Sequence, residues 1–262
     1  MPFVEKLAKK GIESNFKDNK VIVWCCNKTV EIFEELNKKY KLKLALPKGI
    51  FVEDFTKLDI DNKDMYGLCN WFPSRIIKDS SKVFPERTVF FNSFNKKLSI
   101  VSKNNRWLYQ WQNIDAITDK AYKSHFTSTD HFLNFFIHEF CHSAHNSHLL
   151  DIYPPEKLLY KLLRMTDEKF IQQYQEIYGK EISKISVHAL CNPLEAISND
   201  MTLKITNTLS ESELLPTKNP FKNSLYPKSN IFSSIKLIKS APKDELTRNK
   251  TLKRIWYGQN II

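Results

Sequence analysis

Hydrophobic positions follow two regimes along the chain. Up to about residue 120 they come in short runs rich in β-branched side chains, and from about Thr127 they recur at helical spacing. In the first regime Val21-Ile22-Val23-Trp24-Cys25-Cys26 reads as a buried strand with Cys25 and Cys26 on opposite faces. Thr29 to Tyr40 follows as an amphipathic helix, with Val30, Ile32, Phe33, Leu36 and Tyr40 on one side. Pro47-Lys48-Gly49 turns the chain into a second strand, Ile50-Phe51-Val52. Residues 54–86, punctuated by Pro73 and Pro85, read as a long loop. Thr88–Asn92 and Leu98–Ser102 then flank Ser93–Lys97 as the arms of a hairpin would.

In the second regime, Thr127-x-x-Asp130 has the form of a capping box ahead of an apolar stripe, Phe132, Phe135, Phe136 and Phe140. Asn146 is placed to end this helix in the left-handed conformation, and Pro154-Pro155 forbids its continuation. Pro155 opens a helix through Leu158, Leu159, Leu162 and Leu163. Another runs from Asp167 to Tyr178 and stops at Gly179, and a further one covers Pro193 to about Leu209. Pro216, Pro220 and Pro227 among Lys, Asn and Ser have linker composition, and two short helical stretches, 231–239 and 244–256, close the chain. Strands first and helices after predict an α+β fold. The expected division is a body over 1–215, strand-rich over 1–120 and helical over 121–215, with an extension over 216–262.

Composition narrows the picture. Apolar residues at 42% and charged residues at 26% are the balance of a globular protein, and five glycines leave little room for a glycine-rich nucleotide loop. No apolar run reaches the ~18–20 residues of a membrane span, and Glu5 and Lys6 come too early for a secretory leader. The expected location is the cytoplasm, or a host cell reached without a classical signal peptide. The cysteines at 25, 26, 69, 141 and 191 are odd in number and lack a C-x-x-C pair, so they read as reduced thiols. The net charge of +11 is lopsided: residues 216–262 hold ten Lys/Arg against Asp244 and Glu245, leaving only +3 for residues 1–215. A solvated tail is the plain reading of that stretch, and a surface for nucleic acid or anionic lipid the other. No aromatic-studded strand accompanies it, so nucleic acid is not favoured.

The chemistry lies in His138-Glu139-Phe140-Cys141-His142, an H-E-x-x-H motif inside a predicted helix. Histidines at i and i+4 stand one above the other and can share one zinc ion. Glu139, rotated by about 100° from His138, flanks the metal as general base, taking a proton from metal-activated water. Burial of the apolar segment around the motif argues against a surface helix that merely carries two histidines. A catalytic zinc needs a third protein ligand. One candidate is His148, since His138, His142 and His148 have the histidine spacing of the metzincin pattern H-E-x-x-H-x-x-G-x-x-H, but His145 stands where that pattern has glycine. The favoured candidate is Glu195, in the first turn of the helix that Pro193 opens, with Asn199 or Asp200 one turn on as a hydrogen-bond partner for a ligating histidine.

Together His138-Glu-x-x-His142 and Leu194-Glu195-Ala-Ile-Ser-Asn-Asp-Met201 resemble the gluzincin class of zincin metallopeptidases, in particular the toxin and effector type of anthrax lethal factor and the clostridial neurotoxin proteases. The resemblance covers residues 130–148 and 188–203. His145, three residues after the second histidine, also has a counterpart in the clostridial proteases, whereas Asn199 replaces their usual acid. It implies a zincin-like fold, a zinc cofactor, a protein or peptide substrate, and an endopeptidase acting inside a cell. It also implies an oxyanion-stabilising side chain two helical turns before the ligating glutamate, which is His188 here; Tyr153, Tyr174 and Tyr178 are the other candidates. His125 and His131 read as structural, and Trp107 and Trp111 as core packing. The alternative function is an ArdC-like anti-restriction protein, in which a zincin-like domain accompanies DNA binding. Phe126-x-Ser128 and the basic tail would suit it, but the first 120 residues lack that group's Trp- and Pro-rich pattern.

Overall fold

A computed structural model describes residues 2–16, 19–60, 65–93, 106–165 and 167–226. Among them the chain is a mixed α+β structure of seven helices and a four-stranded sheet. Helix α1 (Pro2–Lys9), strand β1 (Glu13–Asn15), helix α2 (Lys20–Tyr40) and strand β2 (Gly49–Glu53) come first. Strands β3 (Gly67–Cys69) and β4 (Thr88–Asn92) complete the sheet in the order β1-β2-β4-β3. β1, β2 and β4 run parallel, and β3 lies antiparallel on the β4 edge. Helices α3 (Arg106–Lys123), α4 (Asn134–Ile152), α5 (Pro155–Arg164), α6 (Glu168–Ile182) and α7 (Pro193–Thr206) follow.

The strands sort their side chains by the two-residue period. Ile50, Val52, Val89 and Phe91 face the main core, where α2, α4 and α7 pack through Phe33, Phe140, Ile137, Ile197 and Met201. Phe51 and Phe90 point the other way, into a second cluster with Phe55, Leu58 and Phe84 from the 54–87 connection. A third cluster joins α5, α6 and the start of α7 through Leu158, Leu162, Phe170, Tyr174 and Leu194.

Several boundaries differ from the sequence expectation. Val21–Cys26 is not a strand but the opening of α2, whose buried positions Val21, Ile22, Cys25, Cys26, Thr29, Val30, Phe33 and Leu36 keep a helical period throughout. Both cysteines therefore face the core, and Trp24 is on the outer side at 37% exposure. A short apolar run fits a strand and a buried helical turn equally well, and packing overrode the β-branched preference. The 54–86 stretch contains β3, too short to stand out by alternation. Phe90 and Phe91 pair with β2 and β3, whereas Leu98–Ser102, the expected hairpin arm, lies outside the described residues.

The Thr127–Asp130 capping box is not used, because α4 starts at Asn134. The turn before it is held by His131, whose Nδ1 accepts from the Leu133 N–H at 3.1 Å. Asn146 does not end α4. Its side chain donates to the Trp71 carbonyl at 2.8 Å, and the helix continues to Ile152 before the proline pair. Gly179 likewise sits inside α6, at a cost of only about 1 kcal/mol against alanine. The described part of the expected linker packs back on the body: Asp200 accepts from Ser224 Oγ and from the Leu225 N–H at 2.8 Å, and Tyr226 joins the main core. The stretches 231–239 and 244–256 lie outside the described residues. Among those described, no helix is long and apolar enough to cross a membrane.

Candidate metal centre

The site forms where α4 crosses α7. α4 is buried along most of its length, and its buried set includes His138, Glu139, His142, Ser143, His145 and Asn146. Ionisable groups are costly to bury unless they find partners. α7 begins where its sequence dictates: Asn192 accepts from the N–H groups of Leu194 and Glu195 at 2.9 and 3.0 Å, with Pro193 in the first turn. That cap aims Glu195 at the two histidines of α4.

Three ligand-type atoms converge there. His138 Nε2 and His142 Nε2 each lie 3.2 Å from Glu195 Oε2, and 3.0 Å from each other. Zinc bonds of about 2.0–2.2 Å at a tetrahedral angle would set such atoms roughly 3.3–3.5 Å apart, slightly wider than observed, so this set of imidazole and carboxylate donors could take the ion after a small outward movement. Glu195 is held well below the usual carboxylate range despite its burial, by His142 and His188 and by the bonds from both α4 histidines. The other ring nitrogen of His142 also has a partner: Nδ1 lies 2.9 Å from Ser198 Oγ, a hydrogen bond that orients the ring.

Glu139 flanks this group and is buried. Desolvation pushes its carboxyl up to about 8, against the lowering effect of His138 and with a further rise from Glu195. Its neighbour is Gly67 on the edge strand, where an added Cβ would stand 2.6 Å from Glu139 Cγ and 2.7 Å from Oε1. Only glycine lets the strand come this close. In β3 the ladder bonds fall on Tyr66, whose carbonyl accepts from Asn92, and on Asn70, which donates to the Thr88 carbonyl. By antiparallel alternation the backbone groups of Gly67 and Cys69 face the outer edge.

His188 is brought to the same place. It opens a short 3-10 helix, His188–Leu190, and its Nδ1 lies 3.5 Å from Glu195 Oε2. Ligand atoms of His138, His188 and Glu195 all lie within 4.8 Å of one another. Burial lowers its pKa, with Glu195 opposing and His138 and His142 adding to the fall. Of the tyrosines expected as alternatives, Tyr174 donates its hydroxyl to the Ala189 carbonyl at 2.9 Å, and Tyr153 and Tyr178 pack in the third cluster.

Other expected positions fall elsewhere. α4 is unbroken from Asn134 to Ile152, so His148 stands about 15 Å along the axis from His138. Its ring packs on Tyr226 at 5.5 Å. His145 has helical rather than left-handed backbone and packs edge-on to Trp71, and burial followed by its neighbours His142 and His148 drops its pKa to about 3. Asn199 and Asp200 are not the histidine's partners. Asn199 donates to the Glu195 carbonyl at 2.9 Å and Asp200 anchors the 224–225 turn, so the supporting role falls to Ser198. His125, with φ of 55°, bonds the Ser183 carbonyl at 2.8 Å. Trp111 packs on Trp24 and Phe132. Sequence reasoning missed Ser198, Gly67 and Cys69, whose buried thiol is raised by desolvation and then by Glu139. Ser198 had a signal, lying three residues after Glu195 on the same helical face; Gly67 had none.

Comparison with known protein families, with curated protein sequences and with solved structures gives no match to this chain.

Proposed function

We propose that the protein is a zinc endopeptidase that hydrolyses a peptide bond of a protein substrate, with Glu139 as general base. The convergence of His138 Nε2, His142 Nε2 and Glu195 Oε2 within 3.2 Å of one another carries this reading. These three side chains would hold the ion. When bound, zinc supplies a Lewis acid that polarises the scissile carbonyl and makes water a nucleophile at neutral pH.

The remaining work belongs to the chain. Glu139, buried beside the three ligand atoms, takes a proton from the attacking water and gives it to the leaving amine. The outer edge of β3, beside that carboxyl, offers the backbone groups of Gly67 and Cys69 to an extended peptide, which places a substrate backbone next to the base. His188, facing Glu195 from the 3-10 turn, donates to the oxygen on which charge develops. Ser198 orients the His142 ring through Nδ1. The sequence resemblance adds the expectation of a toxin- or effector-type enzyme. An ArdC-like role would instead rest on the basic stretch beyond residue 226, outside the described residues.

Zinc content is the test. Protein prepared without chelators should carry about one zinc per chain. Glu195→Ala should weaken zinc binding by more than the roughly 10–100-fold that loss of an outer partner costs a metal site, while His148→Ala should change it little. Wild-type protein that stays empty in excess zinc, or a large loss in His148→Ala alone, overturns the assignment.

A further inference from the structure

A peptidase zinc keeps one coordination position open, whereas a structural zinc is closed by four protein ligands. Here a fourth ligand-type side chain is already at the centre. His188 Nδ1 lies 3.5 Å from Glu195 Oε2, on the same oxygen that both α4 histidines approach. Its ring is 5.7 Å from that of His138. Its position is not that of a freely rotating surface histidine. Phe126 stacks on it at 4.6 Å with 17° between the planes. The turn that carries it is pinned from three sides: the Val187 N–H donates to the His125 carbonyl at 2.8 Å, Ser186 Oγ accepts from the Ala189 N–H at 3.1 Å, and Tyr174 holds the Ala189 carbonyl. The partner ring, Phe126, is itself 45% exposed, so the stacked pair forms the solvent-side lip of the site.

We infer that His188 is a fourth protein ligand, so that the resting centre is closed by three imidazoles and one carboxylate, and that a peptide gains the metal by displacing it. This rests on the reading that His138, His142 and Glu195 hold zinc. The centre is then gated at its solvent side by the His188 side chain alone, which swings aside while the turn that carries it stays pinned. Once displaced, the same imidazole remains beside the reacting carbonyl as the donor proposed above. Displacement makes and breaks only coordination bonds and calls for no other reactant.

X-ray absorption on the zinc-loaded full-length protein counts the imidazoles directly. Wild-type protein should show three and His188→Ala two, with added free imidazole restoring the third. Zinc affinity in His188→Ala should fall by at least the roughly 10–100-fold expected for an outer partner. A peptide hydroxamate, which chelates zinc in place of substrate, should bring the wild-type count from three to two. Two imidazoles in resting wild-type protein overturn the proposal while leaving the three-ligand reading intact, and this count does not depend on any variant folding. A count of three that persists with hydroxamate bound overturns the displacement. Failure of the wild-type protein to take up zinc removes both readings together.

Discussion

Helices α2 and α4 are of similar length and share the main core, yet they bury opposite kinds of residue. α2 puts Val21, Ile22, Cys25, Cys26, Val30, Ile32, Phe33 and Leu36 inside, and its burial explains itself as removal of apolar surface from water. α4 puts His138, Glu139, His142, Ser143, His145 and Asn146 inside along with its phenylalanines. Nothing in packing accounts for that choice, since each ionisable group taken from water is a cost that folding alone does not repay. The contrast separates residues whose burial packing explains from residues whose burial it does not. It also says where each kind of substitution should register.

The largest effect should come from the proposed base. Glu139→Gln should keep the metal and lower kcat by about 10²–10⁴-fold, measured on a peptide substrate with zinc content checked in parallel. The same variant should show the cost of burying the acid. The Glu139 carboxyl is about 8 in the folded chain against 4.5 as its ordinary value, so the folded state holds the extra proton between those values. Its contribution to stability is therefore lost as pH rises from about 4.5 to about 8. In metal-free protein, denaturant unfolding across that window should fall off less steeply for Glu139→Gln than for wild type. Equal slopes would mean that the acid is not buried as described. Next in size is Phe33→Ala on α2, where a fully buried ring packs against Phe140 at 5.6 Å. It should cost about 3–5 kcal/mol in unfolding free energy and leave the zinc stoichiometry of the folded fraction untouched. Zinc loss from folded protein would show that the two helices are not separable in this way. The smallest effect should come from Ser198→Ala, which removes the partner of His142 Nδ1 without touching any proposed ligand. Zinc affinity by chelator competition should drop by roughly 10–100-fold with unfolding nearly unchanged; no change would deny Ser198 its orienting role.

The same contrast explains what the sequence revealed. The start of α7 was legible because Asn192 and Pro193 are local signals acting on the next turn. That His138 and His142 share one face of α4 was legible because it depends only on helical periodicity. The true extent of α4 was not, because Asn146 stays helical through a bond to Trp71, a residue in a different part of the chain. The opening of α2 was misread for a related reason: six apolar residues do not say whether a sheet or a helix will receive them. Gly67 was invisible, since its role exists only once β3 is laid against Glu139. Signals that act within one turn of chain survive in the sequence, and those that act between segments must await the fold.

The site draws on separate stretches of chain: Ser128 bonds to Asn199 across 71 residues, Asn146 to Trp71 across 75, and His138 to Glu195 across 57. No single helix, strand or turn contains it, so an ion that occupies it distinguishes the folded molecule from the unfolded one. By mass action, ligand at 100 times its dissociation constant then adds about 2.7 kcal/mol to stability. The melting temperature of this protein should accordingly track free metal concentration, making heat resistance a reporter of occupancy.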